Sequence, residues 1–236
     1  MQLITFDLDG TMVDTAAEIA EAANRTLVEI GLPRRTPGEV TQLIGHGTRE
    51  LMKGLLQKAH DAGEASLASR DTELVMQAFE RHYHDTTGTD SRLYPGCLDG
   101  LEILYRAGVQ LACVTNKELR FAQRVLEVTG LARYFPIVIG GDSLVQKKPH
   151  PLVIQYCLDA LNVHQSKAAH VGDSSIDIET ARRAGVAAWA VPYGYNGGQP
   201  IEHARPDGLF ANIARIADHV LCGGALRPGA AAPLTI

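Results

Sequence analysis

No apolar run in this chain approaches the roughly 20 residues that a helix needs to span a bilayer, so the sequence offers no transmembrane helix. An excess of positive charge is missing too. The formal charge is −5, and no broad basic field favours nucleic acid or an anionic membrane surface. The opening Met-Gln-Leu-Ile-Thr-Phe-Asp lacks a basic n-region and a cleavage site, so no signal peptide is expected. Cysteine is sparse: Cys97, Cys113, Cys157 and Cys222 stand far apart with no CxxC spacing. That argues against zinc or a disulfide framework and for buried thiols in a reducing cytoplasm.

What is present is ordinary globular composition, 45% hydrophobic and 21% charged, at a length that suits one large domain carrying a smaller insertion. Gln2 to Leu8 reads as a buried strand. Thr15-Ala-Ala-Glu18 matches a capping box. Ile19, Ala23, Leu27 and Ile30 continue at helical spacing until Gly31 and Pro33. Apolar residues then fit three more helices: one around Val40 to Ile44, one around Leu51 to Leu56, and one from Leu74 to Tyr83. A loop over Asp61 to Arg70 separates the last two. After Tyr94-Pro95-Gly96 the pattern alternates. Strands are expected at Val109–Thr115, Ile137–Gly140, Ala168–Gly172 and Ala187–Val191. Helices are expected at Leu98–Ala107, Glu118–Val128, Leu152–Leu161 and from Ser174 to Ala184. Such alternation implies a mostly parallel sheet with right-handed crossovers. The first strand joins that sheet, and the helical stretch is an insertion. The expected division is a core of residues 1–14 and 90–222, a helical cap of 15–89, and a frayed tail of 223–236.

The stretch Thr5-Phe-Asp-Leu-Asp-Gly-Thr11 closes the first strand with two acids one residue apart. In extended chain Asp7 and Asp9 point to the same side, where each resists ionising beside the other. Something positive between them, or a proton on one, would relieve this. Parallel sheets bind ligands at the carboxyl ends of their strands. Standing there are Asp7 and Asp9; Thr115, Asn116 and Lys117; Lys147 and Lys148; and Asp173, with Asp177 further on. Oxygen-only donors favour a hard cation such as Mg²⁺, and a lysine with that cation suits a phosphate.

Asp-Leu-Asp-Gly-Thr from Asp7, Thr115-Asn116, Lys148-Pro149 and Gly172-Asp-Ser-x-x-Asp177 resemble the four motifs of the haloacid dehalogenase superfamily, in order and spacing, over all but the tail. Finer strings resemble its phosphoglycolate phosphatase branch: Val-Thr-Asn-Lys117, Ile-Gly-Gly-Asp142, Lys147-Lys-Pro-His-Pro151, Tyr193-Gly-Tyr-Asn196, and Leu43-Ile-Gly-His-Gly47 in the cap. The resemblance implies an α/β, Rossmann-like core with an all-helical cap inserted after the first strand. It also implies a Mg²⁺-dependent phosphatase acting through an aspartyl phosphate. On that reading Asp7 attacks phosphorus and, with Asp173, ligates the cation, while Asp9 ligates through its carbonyl. The Asp9 carboxyl protonates the leaving alkoxide and deprotonates the water; a proton on Asp9 also eases the crowding with Asp7. Thr115 bonds the phosphoryl group, Lys148 balances its charge, and Asp177 orders ligands from behind. Gly10, Thr11 and Asn116 are further residues expected at the substrate. Gly45-His46-Gly-Thr-Arg49, at a helix start, is the candidate for the substrate's carboxylate.

Duller readings stand beside these. Ser174-x-x-Asp177 can be a helix cap, Lys147 a solvated lysine, Tyr193–Asn196 a surface turn, and His170 a packed core residue. The expected partner is a small phosphorylated metabolite, handled by a monomer or homodimer. Alternatives are a phosphatase or phosphomutase acting on sugar phosphates or pyrophosphate, and a non-catalytic regulator on the same fold.

Overall fold

The computed structural model describes residues 1–64 and 71–222. Strand β1 (Leu3–Phe6) is buried at every position, as a central parallel strand must be. A tight turn follows, in which the Gly10 and Val13 amides donate to the Val13 and Leu8 carbonyls. The chain leaves through β2 (Val13–Asp14) into α1 (Ala16–Glu29), α2 (Pro37–Thr41), α3 (Thr48–Asp61) and α4 (Thr72–Thr86). It returns through β3 (Arg92–Leu93), which pairs antiparallel with β2. There follow α5 (Cys97–Arg106), β4 (Gln110–Val114), α6 (Leu119–Val128), β5 (Ile137–Ile139), α7 (Leu152–Ala160), β6 (Ala168–Gly172), α8 (Ser175–Ala184), β7 (Ala187–Ala190), β8 (Gly208–Leu209) and α9 (Ile213–Leu221).

The main sheet runs β5-β4-β1-β6-β7-β8, every pairing parallel. Strand order reverses around β1, and such a switch point opens a crevice at the strands' carboxyl ends. Period-two alternation sorts the sheet residues between two cores. Ile4, Phe6, Leu111, Cys113 and Val171 pack with α5, α6 and α9 on one face. Leu3, Ala112, Val114, Ala188 and Ala190 pack with α7 and α8 on the other. The helices between β2 and β3 bury a third cluster, with Ile19, Leu27, Leu55, Val75, Phe79 and Tyr83 at its centre. One residue of α6 joins it. Phe121 sits 4.5 Å, centroid to centroid, from Tyr83, which is itself 5.2 Å from Phe79. Aromatic contacts of this kind add about 0.5–1.5 kcal/mol each beyond area burial, so this stack ties the insert to the sheet domain.

The expected parallel sheet is present, extended by β8. Three elements go beyond the sequence reading: the β2–β3 ribbon at the neck of the insert, β8, and α9 with its Asn212 cap. The capping box expected at Thr15 and Glu18 does not form. Thr15 makes no side-chain cap bond, and Glu18 accepts instead from the Gly88 amide and the Ser91 hydroxyl. The α1 amide of Ala16 is met by Asp14 and the Tyr195 hydroxyl. Tertiary partners outbid the local pattern there, while the reciprocal box forms at Thr36 and Glu39, where its bonds lie at the solvent-exposed surface. The loop expected over Asp61–Arg70 and the tail from Gly223 lie largely or wholly outside the described residues.

Candidate active site

Asp7 follows the last residue of β1 and sits where the order reverses. Its Oδ1 accepts from the Leu8 amide at 2.7 Å and pairs with Lys148 Nζ at 2.8 Å. Its Oδ2 makes no hydrogen bond among the described residues. Lys148 Nζ also reaches Asp177 Oδ1 at 2.7 Å. Asp177 further accepts from the Ser174 amide and hydroxyl at its Oδ2, and lies 3.2 Å from His170 Nε2 at Oδ1. So Asp177 ties Ser174 at the start of α8 to the lysine under Asp7. His170 is the buried residue expected, but it is fully bonded: its Nδ1 lies 2.8 Å from Thr5 Oγ1. Burial holds its pKa below the usual value, which favours the neutral ring. Burial opposes ionisation of Asp177, yet Lys148 and His170 hold its pKa far below the ordinary carboxylate range.

Asp173 follows β6. Its Oδ1 accepts from the Thr11 hydroxyl at 2.8 Å and its Oδ2 from the Tyr195 amide at 2.7 Å. Backbone packs hard against this carboxylate. A Cβ on Gly10, whose φ is +82°, would lie 2.5 Å from Asp173 Oδ2, and one on Gly194 only 2.1 Å from it; glycine is required at both. Thr11 and Gly10, expected at the substrate, are thus in contact with Asp173. The Tyr193–Asn196 stretch is no mere surface turn: Tyr193 donates to the Thr11 carbonyl, and the Tyr195 hydroxyl sits at the start of α1.

Ligand oxygens of Asp7, Asp173 and Asp177 lie within 4.8 Å of one another, all buried. Burial raises Asp7 to about 7 against the pull of Lys148. Burial, with the charges of Asp177 and Asp7, raises Asp173 to about 8. One ammonium does not satisfy three carboxylates, and an all-oxygen donor set short of positive charge fits a hard dication.

Asp9 has its own cation. Lys117 Nζ lies 2.7 and 2.9 Å from its two oxygens, and the Thr15 hydroxyl donates to Oδ1 at 2.6 Å. Lys117 thus brings opposite charge to Asp9, one of the two remedies expected for its crowding with Asp7. Burial works against the Lys117 ammonium, but Asp9 wins and raises its pKa. Above these groups the insert closes a small cleft lined by Asp7, Asp9, Thr115, Asn116 and Lys117 from below and by Ile19, Ile44, Gly45, Gly47, Thr48, Leu51 and Tyr83 from the insert. Asn116 Nδ2 bridges the Lys148 and Gly45 carbonyls, and Lys147 donates to the His46 carbonyl. Lys147 is thus engaged rather than free in solvent. His46 itself is exposed, and Arg49 is not brought to the cleft: its guanidinium pairs with Glu73 at 2.7 Å on the outer surface. A helix start orients Thr48 inward, and Arg49, one residue on, turns away.

Lys117 and Tyr83, which line the cleft, and Thr15 and Tyr195, which bond around it, are residues to which sequence reasoning assigned no role. The signal for Lys117 was its place after Thr115-Asn116 at a strand end. For Tyr83 there was only an apolar helix position.

The sequence model of the family described as haloacid dehalogenase-like hydrolase matches residues 4–191. A phosphoglycolate phosphatase (plasmid) of Cupriavidus necator is 40% identical over 195 residues, covering 82% of each chain. One from Aliivibrio fischeri is 38% identical over 210 residues, 88% of this chain and 91% of its own. A crystal structure of a predicted phosphoglycolate phosphatase from Haemophilus somnus 129pt superposes with a TM-score of 0.89 at 33% identity, covering 93% of this chain and 98% of that one.

Proposed function

From the premise that this chain belongs to the haloacid dehalogenase-like hydrolase family and is a phosphoric monoester hydrolase, we propose that it hydrolyses 2-phosphoglycolate to glycolate and phosphate with Mg²⁺ bound, through an aspartyl phosphate on Asp7. The observation that carries this reading is Asp7 itself: a buried carboxylate with one oxygen fixed by Lys148 and the Leu8 amide, lining a small cleft closed by the insert.

In this scheme Asp7 Oδ2 attacks phosphorus and the ester P–O bond breaks. Asp9 gives the leaving alkoxide its proton, then takes one from the water that cleaves the acyl phosphate. Lys117 and Thr15 hold the Asp9 oxygens in place for both transfers. Thr115, lining the cleft beside Asp7, donates to a phosphoryl oxygen. Asp7, Asp173 and the Asp9 carbonyl would hold Mg²⁺, which supplies charge neutralisation between carboxylate and phosphate; Asp177 keeps Lys148 oriented from beneath. The insert, residues 15–89, serves as a lid that excludes water during transfer. Buried thiols at Cys97, Cys113 and Cys157 support a reducing, cytoplasmic setting, and no helix among the described residues is long and apolar enough to cross a membrane.

The test is a panel of phosphate esters ranked by specificity constant, with Mg²⁺ and then with EDTA. Phosphoglycolate leads the panel and EDTA abolishes turnover if the proposal holds. A sugar phosphate or pyrophosphate at the head of the ranking would replace the substrate, and full activity in EDTA would remove the metal.

A further inference from the structure

Resting on that reading, the cleft also carries a feature that the reaction steps leave unused: several donors gather at one end around an unpartnered buried hydroxyl. Tyr83, on α4, is fully buried, and its hydroxyl has no hydrogen-bond partner among the described residues. A buried hydroxyl left unpaired is unfavourable, so this O–H is available to whatever enters. Lys117 Nζ lies 5.1 Å from the Tyr83 ring centroid. An ammonium offers three N–H donors; the two Asp9 oxygens occupy two of them, and the remaining one lies on the Tyr83 side, where the ammonium and that hydroxyl also interact. The 14-residue helix α3 also starts here, at Thr48, after an N-cap Gly47 that makes no side-chain cap bond. Gly47 and Thr48 line the same cleft. The Thr48 hydroxyl is committed to Glu118, so α3 contributes its free first-turn amides, which favour an anion. Ile19, Ile44 and Leu51 complete the wall and leave room for a small substrate only.

We propose that the Tyr83 hydroxyl, the remaining Lys117 N–H and the amide end of α3 bind the substrate's carboxylate, one methylene removed from the ester oxygen, and set the enzyme's preference for it. The cation that reads the carboxylate is then Lys117, from the sheet domain, and not Arg49. Tyr83 is a specificity residue: it touches the part of the substrate that does not react.

The experiment compares 2-phosphoglycolate with 2-hydroxyethyl phosphate, in which an alcohol replaces the carboxylate, in the Mg²⁺-loaded enzyme. Tyr83→Phe keeps the ring between Phe79 and Phe121 and removes only the hydroxyl. It should lower the ratio of the two specificity constants about tenfold, through KM and not kcat, as expected for one lost hydrogen bond to a charged group. Lys117→Met should lower the same ratio while also slowing kcat on both esters, because Asp9 loses its partner. An unchanged ratio in both variants overturns the site, and so does an equal loss on the two esters in Tyr83→Phe. A wild-type enzyme that shows no preference between the esters overturns the phosphoglycolate reading as well, which separates the two failures.

Discussion

Lys148 and Lys117 stand beside the same pair of acids, but the regions they belong to are built differently. Lys148 lies in a network internal to the sheet domain: Asp7 after β1, His170 on β6, Asp177 on α8 and Ser174 before it. Lys117 lies in one that crosses to the insert: Asp9, the Thr15 hydroxyl at the neck, and the Tyr83 ring on α4. The first can be complete whether the insert is seated or not. The Asp9–Lys117 pair of the second also lies within the sheet domain, but the network is complete only when the insert brings Tyr83 to it. In the proposed scheme the nucleophile belongs to the fixed region and the acid–base group to the region that senses closure, so the chemistry that needs a water-free site is coupled to the element that excludes water.

The most severe way to break the fixed region is Asp7→Asn. Turnover should fall roughly 10⁴-fold or more, as when other covalent nucleophiles are removed, and beryllofluoride should no longer be retained. Substantial residual turnover would show that some other oxygen attacks. Lys148→Met leaves Asp7 and Asp177 buried without their shared cation, and breaking a buried pair in this way costs about 3–5 kcal/mol. Denaturant unfolding should register that loss; a wild-type midpoint would mean the network carries little of the fold. On the other side, Phe79→Ala removes a ring from the insert's own cluster, at about 3–5 kcal/mol. Hydrogen exchange should rise in α1 and α4 while β1, β4 and β6 keep their protection. Equal loosening of the sheet would contradict two separately packed regions.

The fixed region was the more legible in the sequence. Asp7, Asp173 and Lys148 follow strands or precede a helix in a regular alternation, and the parallel-sheet rule alone brings them to one rim. Asp177 was readable both as a cap and as a site residue, and it makes both kinds of contact. The crossing region was less legible, because its central pair joins residues far apart in sequence and its insert-side contact depends on how the insert docks. Asp9 and Lys117 are 108 residues apart, and nothing local assigns Tyr83 a role beyond an apolar face. Thr15 and Glu18 fit a capping pattern that holds for an isolated helix. Here Thr15 turns to Asp9 and Glu18 to the returning chain, where burial raises its pKa. The short ribbon and β8 are two-residue strands, below the length at which alternation can be read.

A pH-dependent effect separates the metal cluster from the rest. Asp7 and Asp173 have folded-state values raised to about 7 and about 8, above the unfolded carboxylate range. The folded protein therefore binds more protons than the unfolded one between these limits, and its stability without metal falls as pH rises from about 4 to about 8. Mg²⁺ on these carboxylates offsets that loss. It should raise the melting temperature by a few degrees more at about pH 8 than at about pH 6. An equal increment at both values would place the cation elsewhere.

The smallest expected effect sharpens the comparison most directly, since it asks whether an outer residue of the insert has any part in binding. Arg49 adjoins Thr48, a cleft residue, but its guanidinium is engaged with Glu73 across α3 and α4, and both side chains are largely solvent-exposed, at 45% and 66%. An exposed ion pair of this kind contributes at most about 1 kcal/mol, and raised salt screens it. Arg49→Ala should therefore leave the KM for phosphoglycolate within about twofold of wild type and the unfolding midpoint nearly unmoved. A tenfold rise in KM would mean that Arg49 swings inward when substrate binds, and that the roof of the cleft, not Lys117 beneath it, supplies the cation for the carboxylate.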